Sequence, residues 1–182
     1  MRMTTLVPGN GLRVGLALTL LATAGSTARA GVFGNVIELP GHISEIAVDE
    51  ARGLLYAANF TAGKVDVIST SSNRLVSTMN LGGQPSGLAL SPDGRYLVVT
   101  NYNNFEGVAT LNSVAVVNLS DLTRQNFAVS SPPLGVAFGA DGVALVITTT
   151  ELLLFRPASG TFERLLTIAS MATSLPVLDP AL

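Results

Sequence analysis

Three copies of one segment follow each other in the chain, and this repetition limits the possible folds more than any other feature. The copies begin at Ile43, Pro85 and Pro133, with spacings of 42 and 48 residues. Each copy passes through a turn into a second apolar run, at residues 54–59, 96–101 and 144–149. Two of the turns contain Asp-Gly, which favours tight hairpins because both residues tolerate positive φ. Each copy therefore opens with two antiparallel strands.

Two further strands are predicted in every copy. The third strands occupy residues 64–68, 113–118 and 151–156, and the fourth strands occupy residues 74–81, 124–129 and 162–169. Four antiparallel strands in roughly 40 to 50 residues form a β-propeller blade. The second strands are apolar on both faces, as expected for strands that pack between neighbouring blades. In the fourth strands polar and apolar residues alternate, which is typical of the outermost strand of a blade. We predict an all-β chain of three four-stranded propeller blades.

The second strands end in related tetrapeptides, which support the same architecture. They read YAAN, VVTN and VITT and finish at Asn59, Asn101 and Thr149. These motifs resemble those of the YVTN-type β-propeller family, over residues 43–169, and the resemblance implies a larger, seven-blade-like ring. The family includes lactonase-like and surface-layer-type proteins, so it implies a fold and leaves the function open. If the asparagine lines a binding site, the third blade does not contribute one.

The first 30 residues have the pattern of a bacterial-type signal peptide. Arg13 precedes an apolar run at residues 14–24, and Ala28 and Ala30 supply small residues before a cleavage point at Gly31. As a helix, the 11 apolar residues would rise only about 16 Å, well short of the roughly 30 Å hydrocarbon core of a membrane. We therefore expect an extracytoplasmic product, periplasmic, surface-bound or secreted, without a membrane span.

The repeats divide the chain into six predicted segments. These are a signal peptide, an outer strand with its lead-in, three blades, and the truncated start of a further segment, at residues 1–30, 31–41, 42–83, 84–131, 132–172 and 173–182. Three blades do not close a ring, because propellers use about four to eight. The end blades would expose apolar faces and strand edges. We expect a truncated propeller completed by missing blades, or alternatively by self-association.

Composition excludes several classes of partner and chemistry. Beyond residue 30 the chain carries seven basic and twelve acidic side chains, and Lys64 is the only lysine. Such a surface does not attract nucleic acid. The sequence has no cysteine, which excludes disulfides and thiolate metal sites. No phosphate loop, dinucleotide fingerprint or zinc-ligand spacing is present, so no cofactor is predicted.

The candidate ligand face consists of the loops that join second to third strands, together with the entry to the first inner strand. The longest such loop covers residues 101–112 and groups carboxamides, a carboxylate and two aromatic rings. Such a group can bind a polar ligand and stack on its apolar face. The predicted ligand-binding residues are His42, Asn59, Asn101, Tyr102, Asn103, Asn104 and Glu106. Asp93 and Asp141 stand alone beside glycine, so we assign them to turns and predict no metal site.

Three functions fit this sequence. The first is an exported scaffold that binds a protein or a small polar ligand on its loop face. The second is a lactonase-like hydrolase whose axial site is completed by missing blades, which would need carboxylate, Asn and His side chains around the axis. The third is a structural cell-surface protein. The sequence identifies no catalytic residue and leaves open whether the protein is an enzyme.

Overall fold

The computed structural model describes residue 34, residues 36–103 and residues 112–168. The chain divides into two units, Met1–Gly34 and Asn35–Leu182. Twelve strands occupy the described part of the second unit: β1 Ile43–Asp49, β2 Leu54–Asn59, β3 Lys64–Ser69, β4 Arg74–Met79, β5 Gln84–Leu90, β6 Tyr96–Tyr102, β7 Ser113–Asn118, β8 Arg124–Ala128, β9 Pro133–Phe138, β10 Ala144–Thr148, β11 Glu151–Arg156 and β12 Thr161–Thr167.

The strands form three four-stranded antiparallel sheets. Their orders are β1-β2-β3-β4, β5-β6-β7-β8 and β9-β10-β11-β12, so each strand pairs with its neighbours in the chain. This is the four-stranded meander of a propeller blade. We call the sheets blades 1, 2 and 3. The predicted fold class, an all-β partial propeller of three blades, is confirmed.

The strand boundaries lie within two residues of the prediction, and the largest deviations occur in the fourth strands. The strand β4 ends at Met79 and β8 ends at Ala128, earlier than predicted. Residues 36–39, predicted as an outer strand, belong to none of the three sheets. The signal peptide of residues 1–30 and the final segment of residues 173–182 lie outside the described residues, as do residues 31–33.

Blade 2 is buried on both faces. In β6, Leu97 and Val99 pack into a cluster with Tyr56 and Val65 of blade 1. The intervening Val98 packs on the other side into a cluster with blade 3 residues such as Phe155. Each blade thus shares one apolar interface with the next, and alternate residues of one strand serve the two interfaces. The second strand of blade 2 is therefore apolar for the predicted reason, which is that it packs against a neighbouring blade on each face.

Blade 3 differs from blades 1 and 2 in the length of the turn between its first two strands. Pro85 pairs with Asn101 in blade 2, but Pro133 pairs with Thr148 in blade 3. The cause is a shorter turn, since six residues separate Leu90 from its partner Leu97 and five separate Phe138 from its partner Ala144. Thr148 is fully buried whereas Thr149 is exposed. Aligned by sequence, Thr149 matched the asparagines, and this match is wrong by one residue. Because the turn of blade 3 lacks one residue, counting along the chain from the first strand places the match one residue too late.

The turns between first and second strands use aspartate as predicted. In blade 2, the Ser91 hydroxyl donates to Asp93 Oδ1 at 2.6 Å, and the backbone N–H of Arg95 donates to the same oxygen at 3.0 Å. These two bonds lower the pKa of Asp93 below its usual value. The neighbouring Gly94 has a φ of 67°, which glycine adopts without steric cost. Asp93 therefore closes a turn.

Within the part of the chain that the structure describes, no helix is long and apolar enough to cross a membrane.

Candidate functional site

The first strands of the three blades begin side by side, and their entry ends surround an open depression. Its volume is about 590 Å³, within the range of small-ligand sites. Residues from all three blades line it: His42, Ser44, Phe60, Thr61, Ser86, Tyr102 and Leu134. We call this surface the axial depression. Two of the predicted site residues, His42 and Tyr102, lie on it.

Two serines at equivalent repeat positions connect successive blades beneath the depression. Ser44 Oγ donates to Pro85 O at 2.8 Å, and Ser86 Oγ donates to Pro133 O at 2.7 Å. Leu134 occupies the third equivalent position and has no hydroxyl group. We call these two bonds the serine ladder. Ala58 O lies 3.3 Å from Ser44 Oγ and Thr100 O lies 3.1 Å from Ser86 Oγ, so each serine also has a longer contact within its own blade. Because each hydroxyl has a single proton and carbonyl acceptors within the protein, the serines offer a ligand mainly acceptor lone pairs.

The wall of the depression is largely apolar. Phe60 of blade 1 and Tyr102 of blade 2 face each other with ring centroids 6.2 Å apart and planes tilted by 46°, a favourable arrangement for an aromatic pair. Leu134 of blade 3 is 47% exposed on the same surface. The depression therefore presents two rings and one aliphatic side chain to an incoming group.

The backbone of His42 is fixed by the opposite wall. Its N–H donates to Thr61 Oγ1 at 3.2 Å, and its carbonyl accepts from the Phe60 N–H at 2.9 Å. These bonds join the entry of β1 to the turn between β2 and β3. The imidazole, which is exposed at the rim of the depression, is the one lining side chain with a basic nitrogen.

Asn59 lies beneath the surface of the loop face. It is fully buried, and its Nδ2 donates to Pro40 O at 2.8 Å and to Asp66 Oδ2 at 2.9 Å. Its Oδ1 accepts from the N–H of Ala62 at 3.1 Å. Asp66 is also buried and pairs with Lys64, whose Nζ lies 3.0 Å from Oδ1. Asn59 thus connects the segment before β1 to the turn that carries Phe60 and Thr61.

Asn101 occupies the equivalent place in blade 2 and repeats the donor contacts of Asn59. It is fully buried, and its Nδ2 lies 3.5 Å from Leu81 O and 3.3 Å from Ser113 Oγ. In blade 3, Thr148 takes the same place and accepts a bond from Ser131 at 2.8 Å. Neither asparagine reaches the surface, so the structure gives both a role in holding the loop face in shape.

The remaining predicted site residues belong to the long loop of blade 2. The N–H of Asn103 donates to Oδ1 of the buried Asn112 at 2.8 Å, which closes the base of the loop. Asn104 and Glu106 lie outside the described residues. Of these loop residues, the structure therefore places only Asn103, which follows Tyr102 directly.

Sequence reasoning missed five lining residues, and the repeats contained the signal for three of them. Ser44, Ser86 and Leu134 occupy the second position of the segments ISEIA, PSGLA and PLGVA, so one repeat position lines the depression in every blade. Phe60 and Thr61 follow Asn59 directly, but nothing in the residue pattern showed that this turn faces Tyr102.

The described residues contain no group of three or more His, Asp or Glu side chains placed to hold a metal ion. Four carboxylates instead take part in ion pairs: Asp49 with Arg52, Asp66 with Lys64, Glu163 with Arg156 and Glu151 with Arg164.

Comparison with known proteins supports the fold and goes no further. No family model matches the chain, and no curated protein matches it. Solved β-propellers do match. The β-propeller domain of Myceliophteria thermophila Cps50 (Swd1) is 16% identical with a TM-score of 0.55, over 74% of this chain and 41% of that chain. The fold therefore places the chain among the β-propellers.

Two further solved structures show a similar degree of similarity. Kuenenia stuttgartiensis hydrazine synthase is 21% identical with a TM-score of 0.59, over 75% of this chain and 38% of that chain. A protein of unknown function from Desulfotomaculum acetoxidans is 19% identical with a TM-score of 0.55, over 71% of this chain and 43% of that chain. The chain spans about two fifths of the length of these structures.

Proposed function

We propose that this protein is a binding scaffold and that the axial depression receives an apolar or aromatic side chain from a segment of a partner protein. The observation that carries the proposal is the convergence of Phe60, Tyr102 and Leu134 from three blades on one open surface. Leaving such a surface exposed to solvent is costly, because exposed apolar area is unfavourable in water.

The hydrogen-bonding groups of the depression favour a protein segment over a small polar ligand. Both ladder serines have backbone carbonyls as acceptors for their protons, so the lining donors left for a ligand are on Thr61, Tyr102 and His42. A peptide backbone can use the remaining acceptors and the imidazole of His42, while its side chain covers the rings. A small polar ligand would lose hydrogen bonds to water at the apolar wall, and the wall offers no hydrogen bonds to replace them.

The proposal also includes the family of the protein and its location in the cell. The YAAN and VVTN motifs support membership of the YVTN-type propellers, and the leader of residues 1–30 supports export to the periplasm, cell surface or medium. The partner would then be an extracytoplasmic protein.

The test begins with a library of random twelve-residue peptides displayed on phage and selected on the purified protein. Binding of a selected peptide is measured by fluorescence polarisation for the wild type and for Tyr102→Ala. We expect at least tenfold weaker binding by the variant, because burying an aromatic ring contributes about 1.5 to 3 kcal/mol.

Leu122→Ala is the matched control, since Leu122 is 62% exposed in the turn between β7 and β8 and does not line the depression. It should leave the affinity unchanged, and both variants should melt within a few degrees of the wild type. Selected peptides that bind Tyr102→Ala and Phe60→Ala as tightly as the wild type would refute the assignment of the site. Competition by a small polar compound instead of a peptide would favour the other ligand class.

A further inference from the structure

Blade 3 exposes the face that blades 1 and 2 bury against their neighbours. Pairing with the first strand places Tyr56, Val98 and Leu145 at equivalent positions of the second strands. Tyr56 and Val98 are 3% and 0% exposed, but Leu145 is 38% exposed. Ile147, two residues further on the same face, is 39% exposed. We call this surface, Leu145 and Ile147, the outgoing face.

Blade 1 exposes the complementary face. Ile46, Leu88 and Val136 are equivalent in the first strands, since each pairs with a matching residue of the second strand. Leu88 is 2% exposed in the cluster between blades 1 and 2, and Val136 packs on the cluster between blades 2 and 3. Ile46 is 57% exposed and Val48 is 50% exposed. We call Ile46 and Val48 the incoming face.

The two exposed faces are thus the same pair of surfaces that already meet twice inside the chain. In the first interface Tyr56 and Leu88 share one core cluster, and in the second interface Val98 packs in the cluster that Val136 contacts. Leu145 of one copy and Ile46 of another have the corresponding positions and are both apolar. The occupant that fits the outgoing face is therefore a first blade of this same repeat.

We propose that two copies of the chain associate head to tail, with the outgoing face of each copy on the incoming face of the other. Two copies supply six blades, within the range of about four to eight that closes a propeller ring. Each copy then uses both of its exposed faces, so the two chains form a closed ring and no face is left to extend a filament. The partner would also complete the far side of the axial depression next to Leu134. This inference is independent of what the depression binds.

The junction between copies differs in one respect from the interfaces inside the chain. The serine ladder ends at Leu134, so blade 3 has no hydroxyl to donate to the next blade. An apolar side chain at this position leaves no buried donor unsatisfied whether the copies are together or apart. The junction is therefore suited to two chains that meet after folding.

Sedimentation velocity of the purified protein over a range of concentrations tests this association. We expect the wild type to reach the mass of two chains. Leu145→Asp and Ile46→Asp should each sediment as single chains, because a carboxylate on either face blocks both junctions of a closed pair. Leu122→Asp is the control, which places the same charge on an exposed leucine outside both faces, and it should behave as the wild type.

Mixing the two interface variants gives the decisive measurement. The Leu145→Asp chain keeps its incoming face and the Ile46→Asp chain keeps its outgoing face, so the mixture should form a two-chain species through one junction. Thermal melts of both variants check that each is folded. A wild type that stays single, a species of three or more chains, or an Ile46→Asp variant that still pairs with itself would each overturn the proposal.

Discussion

Asn59 and Asn101 show why a residue type can be identified from sequence while its task is not. Both end an apolar second strand, and an asparagine in that place suggested a surface ligand group. The structure buries both side chains and directs their amides to backbone carbonyls of the segment that enters the blade. The sequence could show their equivalence, but burial depends on the path of that segment, which has no periodic pattern of its own.

Replacing Asn59 with alanine should destabilise the protein. The change removes three hydrogen bonds and leaves Pro40 O and the Ala62 N–H without their partner. We expect the free energy of unfolding to fall by about 2 to 4 kcal/mol, because unsatisfied buried polar groups are costly. Urea denaturation at one fixed protein concentration measures the effect.

Asn80→Ala is the control for that measurement, because Asn80 is exposed and its side chain accepts one bond from the N–H of Gly82. It should change the unfolding free energy by less than about 1 kcal/mol. Equal effects of the two substitutions would contradict the structural role of Asn59.

The bounds of strands with a clear apolar pattern could be predicted from the sequence. The register shifts that set the direction of individual side chains could not. The strands β2, β7 and β11 have the predicted bounds, since their runs of apolar residues end at turn residues. The register shift in β5 between Pro85 and Gly87 lies beside Ser86, whose hydroxyl bonds to blade 3. A bulge depends on pairing between strands, so a single strand's pattern does not reveal it.

Removal of a ladder hydroxyl should weaken the contact between blades. In Ser86→Ala, Pro133 O loses a donor at 2.7 Å, and we expect a loss of about 1 to 2 kcal/mol in the free energy of unfolding. Ser72→Ala, at an exposed turn serine, should have no measurable effect. Chemical denaturation of both variants decides the matter, and an unaltered midpoint for Ser86→Ala would show that the ladder does not stabilise the blades.

For the whole molecule, the sequence indicated the blade number and the unfinished apolar faces. Apolar residues on both sides of the second strands required neighbours on both sides, and Leu145 and Ile46 are exposed where a neighbour would pack. The sequence did not show that three strand entries meet in one depression, because that convergence follows from the angle between blades. Packing of whole sheets sets this angle.

Export is a prediction for the whole chain. If residues 1–30 act as a signal peptide, the product recovered from the periplasm or medium of a bacterial host should begin at Gly31. Terminal sequencing of the purified product measures this directly. Recovery of a product that begins at Met1 would contradict export with cleavage. Ala30→Leu provides a matched variant, since a larger residue at the cleavage point should slow the processing and leave the precursor in the cell.

The serine ladder has a direction, because every hydroxyl donates toward the C-terminal neighbour. A blade that has both a serine donor and the matching acceptor carbonyl is a unit that can be inserted without altering its neighbours. Blade 2 meets both conditions, with Ser86 as donor and Pro85 O as acceptor, and blade 1 has the same two groups in Ser44 and the carbonyl of Ile43. Tandem duplication of residues 84–131 would therefore lengthen the array while every internal junction kept its bond, whereas a copy of blade 3 would introduce a leucine into the ladder. Growth of such a protein by gene duplication is therefore easier from its first or second blade than from its third.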